Sequence, residues 1–392
     1  MENQTFWQKP RLHEDANTHR KVSWLELFFD LVFVVVISEL VHLLSQDLSF
    51  TTIGNYVFLF MPAWWVWIGA TYYNDRFETE GLESRVFTFL LMIPVAGLAI
   101  FAHHVPSDAA WGYGMSYLLA RACIMWLWAR ASIHEKRFRP VGNLLMTGYS
   151  LGIILFLWGL FQEDVTRIVL WSLALLCDLC TPLCTLKRQS KLPLFNLSKL
   201  PERLGLFVLI VLGETLVGVI RGVARHHHLH FRVFSEGILG VAISFALWWI
   251  YFDYIARRVP KADHKSTFLW SYLHLVVVMS IGAVGASLLH VLTSKHHIPS
   301  DPARVLLTSA LAMTLLFIGL IEMILKRDEN EPTKLKVSTS LKFASAFLLI
   351  VLGLFGHELH AFMLLAGTLL VMLPPLGYGL VVWFQAKPKE LA

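Results

Sequence analysis

Charge is what this sequence has least of. Only 16% of its 392 residues are Asp, Glu, Lys or Arg, against about a quarter in a soluble domain. The shortage is regional, since stretches such as 208–220 and 347–355 hold at most one ionisable residue. Cysteine is scarce too. Cys123, Cys177, Cys180 and Cys184 all lie in apolar blocks, so no structural disulfide is expected. Residues 1–23 are polar and lack the apolar core of a secretory signal peptide, which leaves the first apolar block to act as the insertion signal. There is no P-loop, dinucleotide fingerprint, Gly-x-Ser-x-Gly or His-Glu-x-x-His motif, and no loop or terminus is long enough for a separate soluble domain. These absences argue against ATP-driven transport within the chain and against an enzyme. No cofactor, metal or nucleic-acid partner is expected.

What the chain has is hydrophobic residues, 56% of the total. They recur in blocks of about 17–25 residues, the length that crosses a hydrocarbon core. The expected spans are 24–44, 53–73, 85–104, 109–132, 144–161 and 165–186, then 203–223, 233–255, 268–292, 305–325, 341–355 and 361–384. The eleventh is the shortest and is followed by Gly356-His357-Glu358-Leu359-His360; a re-entrant hairpin with the twelfth is the alternative there. Short cytoplasmic loops hold the excess of Lys and Arg. With the N-terminus inside, 26 of the 33 Lys and Arg residues fall on the cytoplasmic side, six on the outer side, and Arg121 within a span. This asymmetry accounts for the net charge of +5 and places both termini in the cytoplasm. Histidine shows the opposite bias, with 12 of 17 on or near the outer face.

Two halves echo each other. Glu26 and Glu39 in the first span match Glu202 and Glu214 at the seventh, and Trp64-Trp65-Val66-Trp67 matches Trp248-Trp249-Ile250-Tyr251. Cys180-Thr181-Pro182-Leu183 in the sixth matches Leu373-Pro374-Pro375-Leu376 in the twelfth, each expected to break its helix. Six is even, so the halves are parallel repeats. The expected fold is all-α: a polytopic membrane protein of about twelve transmembrane helices as two six-helix parallel repeats. Its parts are a cytoplasmic tail over 1–23, a first half over 24–186, a linker over 187–202, a second half over 203–384 and a tail over 385–392.

The string Ser23-Trp24-Leu25-Glu26-Leu27-Phe28-Phe29-Asp30-Leu31-Val32-Phe33-Val34 resembles the bacterial low temperature requirement A family. Glu202-Arg203-Leu204-Gly205-Leu206-Phe207, Val211-Leu212-Gly213-Glu214-Thr215-Leu216-Val217 and Trp248-Trp249-Ile250-Tyr251-Phe252-Asp253-Tyr254 carry the same resemblance. It implies a membrane protein named for growth in the cold, and no particular reaction.

Ionisable residues inside spans cost about 2.5–3.5 kcal/mol or more unless paired or wetted. Glu39, Arg121, Asp178 and Glu214 are the deep ones. They are the candidates for a substrate or ion cavity, with Trp64, Trp65, Trp248 and Trp249 as walls. Arg121 is expected to meet at least one of the three carboxylates, whether as a structural pair or as part of a proton relay. Glu39 and His42, three apart, offer either a relay or an interfacial hydrogen bond. Glu26 and Asp30 share one helix face near the cytoplasmic end, with Glu202, Arg203, Asp253 and Glu322 also on the cytoplasmic side. They read either as an ion site or as a helix-start cluster paired with Arg20, Lys21 or Arg203. Cys177, Cys180 and Cys184 share a helix face, but in a membrane span they read as small apolar residues. His226, His227, His228 and His230, with His357 and His360 beside Glu358, are candidates for an outer-face pH response; solvated loops are the plainer reading.

The leading expectation is a secondary transporter of the inner membrane, with protons as the candidate coupling ion, whose partners are the bilayer and a small molecule or ion. The alternative is a non-transporting stress-adaptation, sensor or scaffold protein with a closed, ion-paired centre. The topology is testable directly. A cytoplasm-active reporter fused after residue 192 gives signal and one fused after residue 228 does not; signal from both sites overturns the helix count.

Overall fold

The structure is a computed structural model, and it describes residues 7–14, 22–78, 81–104, 110–195, 199–226, 228, 230–256, 258–294, 298–327 and 331–385. Twelve α-helices are formed among them: α1 (Trp24–Leu44), α2 (Phe50–Arg76), α3 (Leu82–Phe101), α4 (Ala110–His134), α5 (Arg139–Leu160), α6 (Asp164–Gln189), α7 (Lys199–Ala224), α8 (Phe231–Tyr251), α9 (His264–Leu292), α10 (Asp301–Ile324), α11 (Leu335–Phe355) and α12 (Ala361–Gln385). Eleven are long and apolar enough to cross a membrane. The exception, α4, has the length but is diluted by Arg121, Arg130 and its run of Gly, Ser and Tyr. It packs against α3 and α5. The chain is a polytopic helical membrane protein.

The helices group into two compact units. The first comprises Met1–Leu40, Asn55–Arg203 and Ala262–Phe268; the second comprises Val41–Gly54, Leu204–Lys261 and Leu269–Ala392. In the first, α3, α4, α5 and α6 pack in sequence; in the second, α12 lies against both α8 and α11, and α10 against α11. At the start of α9, Asp263 accepts hydrogen bonds from the amide and hydroxyl of Ser266, both at 2.7 Å. Burial alone would raise its carboxyl, but these bonds outweigh burial and hold it below the ordinary range.

Three expectations need correction. The first concerns the helix breaks. Both α6 and α12 run unbroken through Pro182 and through Pro374-Pro375. Proline frees the carbonyl four residues earlier, which in a membrane must find another donor. For Pro375 that carbonyl belongs to Val371, and Ser345 of α11 donates to it at 2.8 Å. Around Pro182, Thr181 donates to the Cys177 carbonyl and Thr185 to that of Pro182, both at 2.6 Å. Second, α11 begins at Leu335 and has 21 residues, enough to span. Its first turns were hidden because Lys336 and Lys342 read as loop residues. Third, the N-terminal segment is not simply a polar tail. Arg11–Leu12 forms a strand, β1, antiparallel to β2 (Phe77–Glu78) at the end of α2, and the His13 amide donates to the Arg76 carbonyl.

In the second unit, α7 and α9 meet backbone to backbone. A Cβ on Gly218 would lie 2.1 Å from the Gly285 carbonyl oxygen, and a Cβ on Gly285 would lie 2.6 Å from that of Glu214. Small residues allow such approach where no hydrophobic force drives helices together. Gly213 on the same helix has no heavy atom within 4 Å of its would-be Cβ. Gly218→Ala is therefore expected to destabilise the protein by about 1–3 kcal/mol, the usual range for overpacking. Gly213→Ala is neutral or slightly stabilising, since alanine is the better helix former. Thermal unfolding in detergent checks this; equal melting temperatures for the two variants contradict it.

Candidate functional site

The most heavily connected charges of the first unit gather at the start of α1. Ser23 and Glu26 form a capping box. The Glu26 amide donates to the Ser23 hydroxyl at 3.3 Å, and the Ser23 amide donates to the Glu26 carboxylate at 3.0 Å. The second Glu26 oxygen takes Lys199 at 2.8 Å and lies 3.7 Å from Arg203. One turn further in, Asp30 is fully buried. It receives Arg203 through Nε at 3.1 Å and Nη2 at 2.7 Å, and the Trp67 indole N–H at 2.8 Å. Asp75 of α2 adds its field to Arg203. Of the basic partners expected for the acidic pair, Arg203 is the one found, joined by Lys199; Arg20 and Lys21 lie outside the described residues.

A second cluster sits midway along α4 and α6. Arg121 Nη2 donates to Asp178 at 2.8 Å, and the Tyr117 hydroxyl donates to the other Asp178 oxygen. The guanidinium lies over the Tyr149 ring of α5, 4.3 Å from its centroid. All four side chains are buried. The expected carboxylate partner of Arg121 is thus Asp178. Glu39 has a different partner, His103 Nε2 at 2.6 Å, and its side chain is 40% exposed, so the protein does not enclose it as it does Asp178. Glu214 is buried in the second unit.

The second unit has a cluster around Glu322, whose partners the sequence reading did not identify. Glu322 of α10 is fully buried. One oxygen takes Lys342 at 2.9 Å and Ser338 at 2.8 Å; the other takes Arg258 at 3.2 Å and lies 3.4 Å from Arg327. Glu331 pairs with both arginines, and the Lys342 ammonium stands 3.4 Å above the Tyr254 ring. The available signal was Ser338 and Lys342 at i, i+4 facing an acidic residue inside the neighbouring apolar block.

The remaining candidates scatter. Trp64 and Trp65 are buried, Trp64 with its ring 5.1 Å from Trp67. Trp248 is exposed and stacks between Phe245 and Phe252. Trp249 donates to Asp253 at 2.6 Å. Glu202 is exposed. His226 donates to the Leu292 carbonyl at 2.7 Å, and the rings of His228 and His230 lie 6.1 Å apart. His227 lies outside the described residues. His357 is 3.9 Å from Glu358, and His360 is exposed. Among the described residues no three His, Cys, Asp or Glu side chains converge as metal ligands do.

The Asp30–Arg203 contact generates a test. Removing one partner of a buried pair strands the other, at about 3–5 kcal/mol, whereas replacing both with apolar residues is often neutral. Asp30→Leu alone is expected to lower thermal stability sharply, and adding Arg203→Met to recover a large part of the loss. A double variant less stable than either single one would show that the two charges act independently.

A protein of Rhizobium meliloti (strain 1021) described as "Uncharacterized protein RA0937" is similar to this chain, 29% identical over 307 residues that cover 71% of each chain. No solved structure matches it. The family model described as "Bacterial low temperature requirement A protein (LtrA)" matches residues 21–378, which takes in the Glu26–Asp30–Arg203 cluster, the Arg121–Asp178 pair and the Glu322–Lys342 pair. The chain belongs to the bacterial low temperature requirement A family.

Proposed function

We propose that the protein is a secondary transporter of the inner membrane, with both termini in the cytoplasm, two six-helix halves and a proton-coupled small molecule or ion as cargo. It carries out no covalent chemistry of its own in this reading. The observation that supports it is the Arg121–Asp178 pair, fully buried and midway along α4 and α6. Ionisable groups at that depth mark ion pathways and proton relays. Asp178 is held by both Arg121 and Tyr117. Its protonation would remove the charge that holds the guanidinium and free Arg121 to engage an anionic group of the cargo. The fitted neighbours Tyr149 and Tyr117 would keep the site polar but closed until then.

One observation favours the second reading, a non-transporting stress-adaptation or scaffold protein. In the clusters around Asp30 and Glu322 each carboxylate is already matched by cations from other helices, as a static framework requires. The two readings separate in proteoliposomes that contain a pH dye and are challenged with pools of small charged solutes. Transport predicts a solute-dependent proton flux that falls on the order of tenfold or more in Asp178→Asn, the loss expected when a step loses at least about 1.4 kcal/mol of stabilisation. No solute-dependent flux from a folded wild type at any pool supports the framework reading instead.

A further inference from the structure

Seven of the described Lys and Arg residues are buried. Six of them, Arg121, Arg130, Lys199, Arg203, Arg304 and Lys342, each have a carboxylate oxygen within 3.6 Å. Arg76, the last residue of α2, is the exception. It forms no ion pair among the described residues, and Asp75, its neighbour in the chain, acts on it only through its field. The acceptors of Arg76 are neutral. Nη1 donates to the Pro193 carbonyl at 3.3 Å and Nη2 to the Gln189 side-chain oxygen at 3.0 Å. Gln189 is committed to this role, because its amide nitrogen donates to the Thr185 hydroxyl at 2.7 Å. The Phe195 ring covers one face of the guanidinium, 4.1 Å from its centre.

Neutral dipoles hold a guanidinium in place without cancelling its charge. Arginine does not deprotonate in proteins, so burial leaves a full positive charge at the end of α2, which is strongly unfavourable unless an anion meets it. The two hydrogen bonds use two of the five N–H donors of the guanidinium. Arg76 and Gln189 border a cleft of about 20 Å³ in the first unit, walled by Trp128, Phe138, Leu145, Tyr149 and Phe268. That volume admits one occupant of about the size of a water molecule. The walls are mostly aromatic and include no Asp or Glu, so an anion there would feel Arg76 with little screening.

We propose that this cleft binds one monatomic anion, a chloride ion, against the Arg76 guanidinium. Chloride is only slightly larger than a water molecule and carries the missing sign. Water fits the same space but leaves the charge unmatched. Sulfate and organic carboxylates supply the charge but exceed the space. With the ion in place Arg76 obeys the same pairing rule as the other six buried cations, and the end of α2 is tied to the end of α6 and to Pro193 and Phe195 beyond it. The inference stands whether or not the protein transports, since it rests on Arg76 and not on Arg121 or Asp178.

The experiment is thermal unfolding of the purified full-length protein in detergent. The protein is prepared in sodium gluconate, whose anion is too large for the cleft, and titrated with sodium chloride or sodium sulfate at constant ionic strength. Chloride is expected to raise the melting temperature saturably, by about 2 °C or more at ten times the half-saturating concentration, and sulfate to leave it unchanged. A general salt effect on burial acts the other way, with sulfate the stronger stabiliser, so the wild type alone separates the two. Arg76→Met removes the stranded cation and is expected to lose the chloride dependence. Leu145→Phe keeps Arg76 but fills the cleft, and is expected to lose it as well. Equal melting temperatures of the wild type in gluconate and chloride, the result if the cleft holds water alone, overturn the proposal. So does a sulfate shift as large as that of chloride, or a chloride shift that either folded variant retains in full.

Discussion

A charge inside a span must be met by its opposite, because the hydrocarbon supplies neither water nor counterion. Asp30 illustrates how much one such requirement organises. Its two oxygens collect the guanidinium of Arg203, 173 positions later in the chain, and the indole of Trp67. Glu26, one turn away, serves both as the capping partner of Ser23 and as the acceptor for Lys199. The acidic face of α1 therefore fixes the first turn of α7 in register and rotation at once. Glu322 plays the corresponding part in the second unit, where it gathers Lys342, Ser338 and Arg258.

These pairs differ in how completely they are matched. Glu322 draws cations from several elements, and Asp30 holds its one guanidinium through two nitrogens as well as an indole, so removing a single bond would leave each carboxylate with others. Asp178 depends on one cation and one phenol. A group with fewer alternatives changes its surroundings more when its charge changes, so Asp178 is the better placed of the three for a moving part, and the others for fixed points. Trp7, Gln8, Glu83 and Arg130 form yet another kind of pairing, in which a main-chain segment takes the place of a third side chain.

The helices were legible because hydropathy and the Lys/Arg asymmetry respond to the same bilayer. Arg121 was legible as well: one deep cation among deep carboxylates has to find a partner, and only the choice of Asp178 required the packing of α4 on α6. Lys342 was not legible, since a lysine near the end of an apolar block is indistinguishable in sequence from a loop residue. Its burial depends on Glu322 and Tyr254, which lie 20 and 88 positions away. The prolines misled for a related reason. Pro375 looks like a break until Ser345 on another helix answers the freed carbonyl. Enclosure was not legible at Glu39, where position along the helix said nothing of which way the side chain faces.

The docked N-terminal segment has a consequence for the order in which the chain is made. β1 has nothing to pair with until Phe77 and Glu78 have left the ribosome, and Gln8 has no clamp until Arg130 has followed. Residues 8–12 therefore take their place only after the chain through α4 has been made, so their docking reports that β2 and Arg130 are in position.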